Sequence, residues 1–441
     1  MSAQAASAEA LCQAVAGRRD ELAALAAQLV ALDTTARMPG DPPRREADFQ
    51  ALLAERLRRA GASVDVWEPA PGDVAPWARQ IGTDRLSFDG RPQLLARWRG
   101  EEGGRSLILN GHIDAVSAEP RERWSVDPFA GEIVDGRLVG RGAVDMKGGI
   151  AAMVIAAETV VAEVGRLPGD LLVNTVTDEE SSGAGALACI AAGVSADAVI
   201  VPEPTGFDVW VACRGSLTPT FHVSGRSAHA ELPQPPWEDG GAVNAIEKLG
   251  VVLDAVQRLR DEWRERDDQR HAYLAPGTIV PVLVKGGEWF VSYPAQAELT
   301  CELMYLPTAV DEHGEGRRVE REVTEWIEQA VERADDEWLR RHPPTIDWGS
   351  DIPPAEIDPE HPLARAMTAA ALQAGLPSRV GGFDSWYDGA SFIRAKGVPA
   401  VAFGPPETAS AHAIDESVAI DDLVRCAQAL ALAAARWCRP A

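Results

Sequence analysis

In Leu107-Ile-Leu-Asn-Gly-His-Ile-Asp114, a short run of apolar residues delivers an imidazole and a carboxylate at its end. Three further runs repeat the pattern. Leu171-Leu-Val-Asn-Thr-Val-Thr177 leads into Asp178-Glu179-Glu180, Ala198-Val-Ile-Val201 into Pro202-Glu203-Pro204, and Val398-Pro-Ala-Val-Ala-Phe403 into Gly404-Pro-Pro406 and then His412. Short β-rich apolar runs of this kind read as buried parallel strands. In an open α/β sheet, ligands bind beyond the carboxyl ends of the strands. Four strands therefore bring carboxylates and imidazoles to one edge, a donor set suited to a divalent metal such as zinc.

Outward from these runs, residues 20–33 and 46–60 read as amphipathic helices, and 68–92, rich in Pro, Gly and Asp, as a surface loop. From Leu94 to Val201 apolar runs alternate with helical patterns, the signature of a parallel sheet. Gly131–Val139 reads as a hairpin turned at Asp135-Gly136, and Gly148–Val161 as a helix packed on the sheet. After Arg214 the pattern changes. Strands at Thr218–Ser224, Thr278–Val284, Ala297–Tyr305 and Thr345–Trp348 alternate with helices at Gly241–Leu259 and Arg318–Arg341, giving the ferredoxin-like order β-α-β-β-α-β. The expected organisation is an α/β domain, 1–214 and 351–441, interrupted by an inserted domain at 215–350.

A chain of 441 residues suits two domains. Its net charge of −25 argues against nucleic acid or an anionic membrane as partner, since phosphates need a basic footprint. The six cysteines have no paired spacing, which fits a reducing compartment better than a disulfide framework. No secretory signal and no membrane-spanning run is legible. The expectation is a cytoplasmic protein.

Taken singly, each chemical residue has a plain structural reading. His112 and Asp114 could form a polar turn, although a carboxylate two residues on can also orient an imidazole from behind. Asp145, in Gly140-Arg-Gly-Ala-Val-Asp-Met-Lys-Gly-Gly149, could be a helix cap or bridge two cations. Glu179 and Glu180 could complement a helix dipole, or one could bind metal while the other serves as general base. Glu203 could be a loop acid and His412 a surface histidine.

Order and context decide between these readings. Gly111-His-Ile-Asp114, Gly140–Gly148, Thr177-Asp-Glu-Glu180, Pro202-Glu-Pro-Thr205, Ser227-Ala-His-Ala230 and Ala411-His-Ala-Ile-Asp-Glu416 together resemble the dinuclear zinc aminoacylase and carboxypeptidase family. That family includes acetylornithine deacetylase, succinyl-diaminopimelate desuccinylase and glutamate carboxypeptidase. The resemblance runs from about 107 to 416. It implies a zinc-peptidase catalytic domain with a lid, in which His112 and Glu203 hold one metal, Glu180 and His412 the other, and Asp145 bridges them. Asp114 would support His112, and Glu179 would be the general base for a metal-bridging hydroxide. The bond after Asp145 would be cis. Zinc is the default ion, with cobalt or manganese as substitutes. The lid would form a homodimer, His229 would stabilise the oxyanion, in cis or across the dimer, and Asn244 would lie near the substrate.

The chain departs from the pattern where relatives carry carboxylate-gripping arginines. Met304 stands at one such place, and Asp388-Gly-Ala-Ser-Phe392 lacks the other. Arg214, Arg226 or Arg394 could substitute, and Arg214 is taken as the candidate substrate-binding cation. The function expected is hydrolysis of the amide bond of a small N-acyl amine or N-acyl amino acid. The alternatives are a dipeptidase or carboxypeptidase, a hydrolase of a non-carboxylate heterocyclic or carbamoyl amide, and a metal-binding relative that has lost catalysis.

Overall fold

The computed structural model describes residues 7–36, 44–406 and 408–440. Its larger sheet has nine strands. At the centre lie, side by side, Leu171–Val176, Leu107–His112, Val199–Val201 and Ala400–Ala402. These are the four runs read from the sequence, and every neighbouring pair among them is parallel. All four strands are buried throughout, which is why they carry apolar residues on both faces.

The flanks differ from the expectation of a parallel sheet from Leu94 onward. Gln93–Trp98 runs antiparallel to Leu171–Val176, and Ser63–Trp67 antiparallel to Gln93–Trp98. A parallel connection needs a crossover of a dozen or more residues, and the link 99–106 is too short to supply one. The segment 68–92 is also more than a surface loop. It folds into a 3₁₀ turn, Pro71–Trp77, and a short helix, Ala78–Ile81, and buries Val74, Ile81 and Phe88 against Ala184, Leu187 and Ala188.

Two helices cover one another and the sheet, Lys147–Val164 and Ile420–Trp437. The first begins at two glycines for a steric reason. A Cβ on Gly148 would lie 2.4 Å from the Ala143 carbonyl oxygen, and one on Gly149 2.3 Å from that of Pro202. This close approach sets the loop before the helix against the Pro202-Glu203 turn. The hairpin Glu132–Val134/Arg137–Val139 turns at Asp135 and Gly136, both with positive φ, as a two-residue hairpin turn requires. Ser417–Ala419 adds a third strand to it, which carries the His412–Glu416 segment alongside the Asp145 loop.

The second sheet is antiparallel and has its own core, which includes Phe221, Leu249, Val256, Trp263, Leu299 and Val323. Its β-α-β-β-α-β elements are Thr220–Ser224, Ala245–Glu265, Thr278–Gly286, Gln296–Tyr305, Arg317–Arg333 and Thr345–Asp347. The strands lie in the order fourth, first, third, second. The single long helix expected over 318–341 is broken. Asp335 takes a positive φ and the Asp336 side chain caps a new helix, Glu337–Arg341, by accepting from the Leu339 amide. Where the chain enters and leaves this domain, Gly215–Leu217 and Asp351–Ile352 pair with each other.

Candidate active site

The acidic and histidine residues at the central strand ends converge. His112 ends its strand with both ring nitrogens engaged. Nδ1 lies 3.0 Å from the carbonyl oxygen of Asp114, and Nε2 3.0 Å from Asp145 Oδ1. A carbonyl only accepts, so Nδ1 carries a proton and Nε2 faces the acids. Glu203 and Glu179 lie 3.9 and 4.0 Å from the same Nε2. The second oxygen of Asp145 is 3.3 Å from His412 Nε2, which is also 3.3 Å from Glu180 Oε1. Asp145 therefore belongs to two groups of donors, one with His112 and Glu203, the other with Glu180 and His412. Within each group the ligand-type atoms lie within 4.8 Å of one another. The Asp145–Met146 peptide is cis.

Electrostatics make these groups interdependent. Burial opposes charge on His112, but Asp145, Glu179 and Glu203 outweigh it and raise its pKa well above the usual value. Hydrogen bonds to Asp145 and Glu180 push His412 up to about 10. Burial raises Glu179 and Glu203 well above the carboxylate range, helped by the neighbouring acids. Asp145 goes the other way: its hydrogen bonds to the two imidazoles overcome burial. Glu203 Oε1 is buried and accepts no hydrogen bond among the described residues. Such an orphaned oxygen is costly unless a cation meets it. With two imidazole nitrogens and three carboxylates, the donor set fits a pair of divalent ions.

Asp114 contacts His112 mainly through its backbone. The carbonyl of Asp114 holds the imidazole, while its carboxylate is 3.7 Å from Nδ1 and accepts from the amides of Glu179 and Glu180 at 3.3 and 3.1 Å. It thus sets the loop in which adjacent glutamates diverge, Glu179 toward His112 and Glu180 toward His412.

Sequence reading overlooked the residues that hold the Asp145 loop. Glu416 is fully buried. Its carboxylate accepts from Arg141 Nη1 at 2.6 Å and from the amides of Gly142, Val144 and Asp145. The Ala411–Glu416 motif was the signal for it. Asp388, also fully buried, accepts from Asn110, and Asn110 in turn accepts from Asn174. No local pattern pointed to that chain.

Three other predicted residues lie outside this group. His229 is exposed on the lid, where its Nδ1 accepts from the Glu231 amide and its backbone bridges Ser292. Asn244 caps the helix Ala245–Glu265 through the amides of Ile246 and Glu247. Arg214 donates to the carbonyls of Asp384 and Pro276.

An α/β domain with an acid–imidazole centre at its strand ends, joined to an antiparallel domain, presents the carboxylates and imidazoles that a metal-assisted hydrolase uses. The chain belongs to peptidase family M20/M25/M40, whose model matches residues 108–436. It is 29% identical to an N-formyl-4-amino-5-aminomethyl-2-methylpyrimidine deformylase of Halalkalibacterium halodurans, over 98% of this chain and 97% of that one. It is 30% identical to a succinyl-diaminopimelate desuccinylase of Stenotrophomonas maltophilia, over 86% of this chain and 90% of the relative. Among solved structures, the YXEP protein of Bacillus subtilis, described as a dinuclear metal binding peptidase, shares the fold at a TM-score of 0.62 and 14% identity, covering 97% of this chain and all of that one. The chain is an amide-cleaving hydrolase of the deacylase type. Among its described residues no helix is long and apolar enough to cross a membrane.

Proposed function

We propose that the chain removes a formyl or similarly small acyl group from an amine attached to an uncharged ring, with two divalent metal ions at Asp145. The observation that carries this reading is the fate of the arginines. Arg214 is occupied by two backbone carbonyls, and Arg226 by those of Trp237 and Gly241 while it lies over the Trp338 ring. Met304 is buried in its strand. A carboxylate substrate is usually gripped by an arginine fork, and these guanidinium groups are spent elsewhere. The deformylase relative, matched along nearly the whole chain, is named for a substrate with no carboxylate.

His112 and Glu203 would hold one ion, Glu180 and His412 the other, and Asp145 both. Zinc is the ion best suited to this donor set, with cobalt or manganese able to replace it. When bound, such a pair supplies Lewis acidity and an activated water. Glu179 takes the water's proton and hands it to the amine nitrogen as the C–N bond breaks, releasing formate and the free amine. Its raised pKa suits a group that must both gain and lose a proton. Asp114 fixes the Glu179 amide and so the direction of its side chain. His229 would stabilise the developing oxyanion.

A homodimer formed through the lid is part of this reading. Thr278–Gly286 is an edge strand with Val282 and Val284 exposed, and the adjoining loop exposes Trp289 and Phe290. Apolar edges of this kind are normally covered. Six free cysteines suit the reducing cytoplasm.

The test is hydrolysis of N-formyl-4-amino-5-aminomethyl-2-methylpyrimidine beside N-succinyl-diaminopimelate and a dipeptide, using zinc-loaded protein. The expected result is a kcat/KM for the formyl pyrimidine at least a hundredfold above both others. A preference for either carboxylate-bearing substrate would overturn the reading.

A further inference from the structure

Between the strand Leu171–Val176 and the acids it delivers stands Asp178, with φ of +67°. Left-handed backbone is unfavourable for residues other than glycine, although Asp tolerates it better than most. The carbonyl of Asp178 accepts from the amides of Ser182 and Gly183 and so closes the loop that carries Glu179 and Glu180.

The conformation is held from the segment that leads into the neighbouring strand, Gln93–Trp98. The Arg91 guanidinium is paired with the Asp178 carboxylate, and both side chains are buried. Arg91 Nη1 also donates to the Ser87 carbonyl, and Glu46 lies 3.6 Å from its Nε. Two residues further on, Gln93 grips Thr177 at both ends: Gln93 Oε1 accepts from the Thr177 amide at 3.0 Å, and its Nε2 donates to Thr177 Oγ1 at 2.9 Å. Arg91 and Gln93 thus form a clamp on Thr177-Asp178, and Asp114 holds the next two amides.

We infer that Arg91 is a positioning residue for the proton-transfer step: by fixing Asp178 in its left-handed turn it aims Glu179. This rests on the reading of Glu179 as the group that moves the proton. It goes beyond that reading by assigning the geometry of Glu179 to an arginine that touches neither the metal-type donors nor the substrate.

The test uses full-length, zinc-loaded Arg91→Met, Arg91→Lys and Asp178→Asn, with Glu179→Gln in parallel. The formyl pyrimidine supplies kcat and KM, and hydrogen exchange of the peptide covering 177–183 supplies a readout that needs no turnover. A misplacement of about 1 Å costs on the order of 10²-fold. Arg91→Met and Asp178→Asn should each lower kcat by about that factor, with KM within about threefold and zinc content unchanged. Exchange of 177–183 should quicken at least about tenfold with the rest of the chain unaltered. Arg91→Lys should recover most of both, and the Met/Asn double variant should be no worse than either single, as for two partners in one interaction. Unchanged exchange at 177–183 in Arg91→Met would overturn the inference, as would a kcat within threefold of wild type, a Lys variant no better than Met, or faster exchange throughout the molecule. Wild-type-like turnover by Glu179→Gln would instead remove the reading beneath it, while the exchange result would still report whether Arg91 sets the loop.

Discussion

Replacing Glu416 by Gln changes one atom and tests what holds the Asp145 loop. In the wild type, Glu416 Oε2 serves Arg141 Nη1 and the Gly142 amide, and Oε1 serves the amides of Val144 and Asp145. A glutamine can keep its oxygen on the Val144 and Asp145 side. Its amino group then faces two donors, so Arg141 and the Gly142 amide both lose their acceptor. Side-chain exposures of 3% for Arg141 and 0% for Glu416 leave little access for water to replace it. Breaking a buried ion pair by removing one partner costs roughly 3–5 kcal/mol, and a stranded amide about 1–3 kcal/mol more. The expected loss is roughly 4–8 kcal/mol, a large part of the ~5–15 kcal/mol that holds a typical domain. Urea unfolding of zinc-loaded protein, followed by tryptophan emission, measures it. Adding Arg141→Met, which removes the stranded cation, should recover a substantial part. A Glu416→Gln protein within about 1 kcal/mol of wild type would refute the account.

Glu179→Gln should lower kcat by roughly 10²–10⁴-fold while both metals stay bound, as read by kinetics alongside elemental analysis. Metal affinity should rise with pH, because His412, with its pKa pushed up to about 10, must shed a proton before it can ligate. In the metal-free protein the sign reverses. The raised pKa means that the His412 ion pair adds stability fully below pH ~6.5 and loses it as pH rises through about 10, which chelator-treated melts at pH 6 and 10 would show. Val282→Glu with Val284→Lys should dissociate the proposed dimer without unfolding the lid, as seen by sedimentation, since both side chains point to solvent. If His229 acts in trans, mixed Glu179→Gln and His229→Ala chains should regain activity through hybrid dimers, and no recovery despite subunit exchange would place it in cis.

Much of the fold was legible because its signals are local. The four central strands are short, largely apolar runs buried on both faces, and the inserted domain announced itself by a change of period after Arg214. The expectation failed where pairing depends on connection length, as at Gln93–Trp98, and where a side chain caps a new helix, as at Asp336. It also failed at 68–92, where Val74, Ile81 and Phe88 are too widely spaced to read as a buried face.

His112, Glu179, Glu180 and Glu203 follow apolar runs, and the order of motifs singled out Asp145 and His412 beside them; the structure brings these side chains together. Their supports could not be named in advance. Arg141 meets Glu416 across 275 positions and Arg91 meets Asp178 across 87. Asn244 and Arg214 carry side chains suited to a substrate, yet one caps a helix and the other binds carbonyls. Composition and periodicity record what a residue offers and which face of its element it occupies. Which distant group accepts the offer is decided by packing, where burial forces each donor and charge to find a partner.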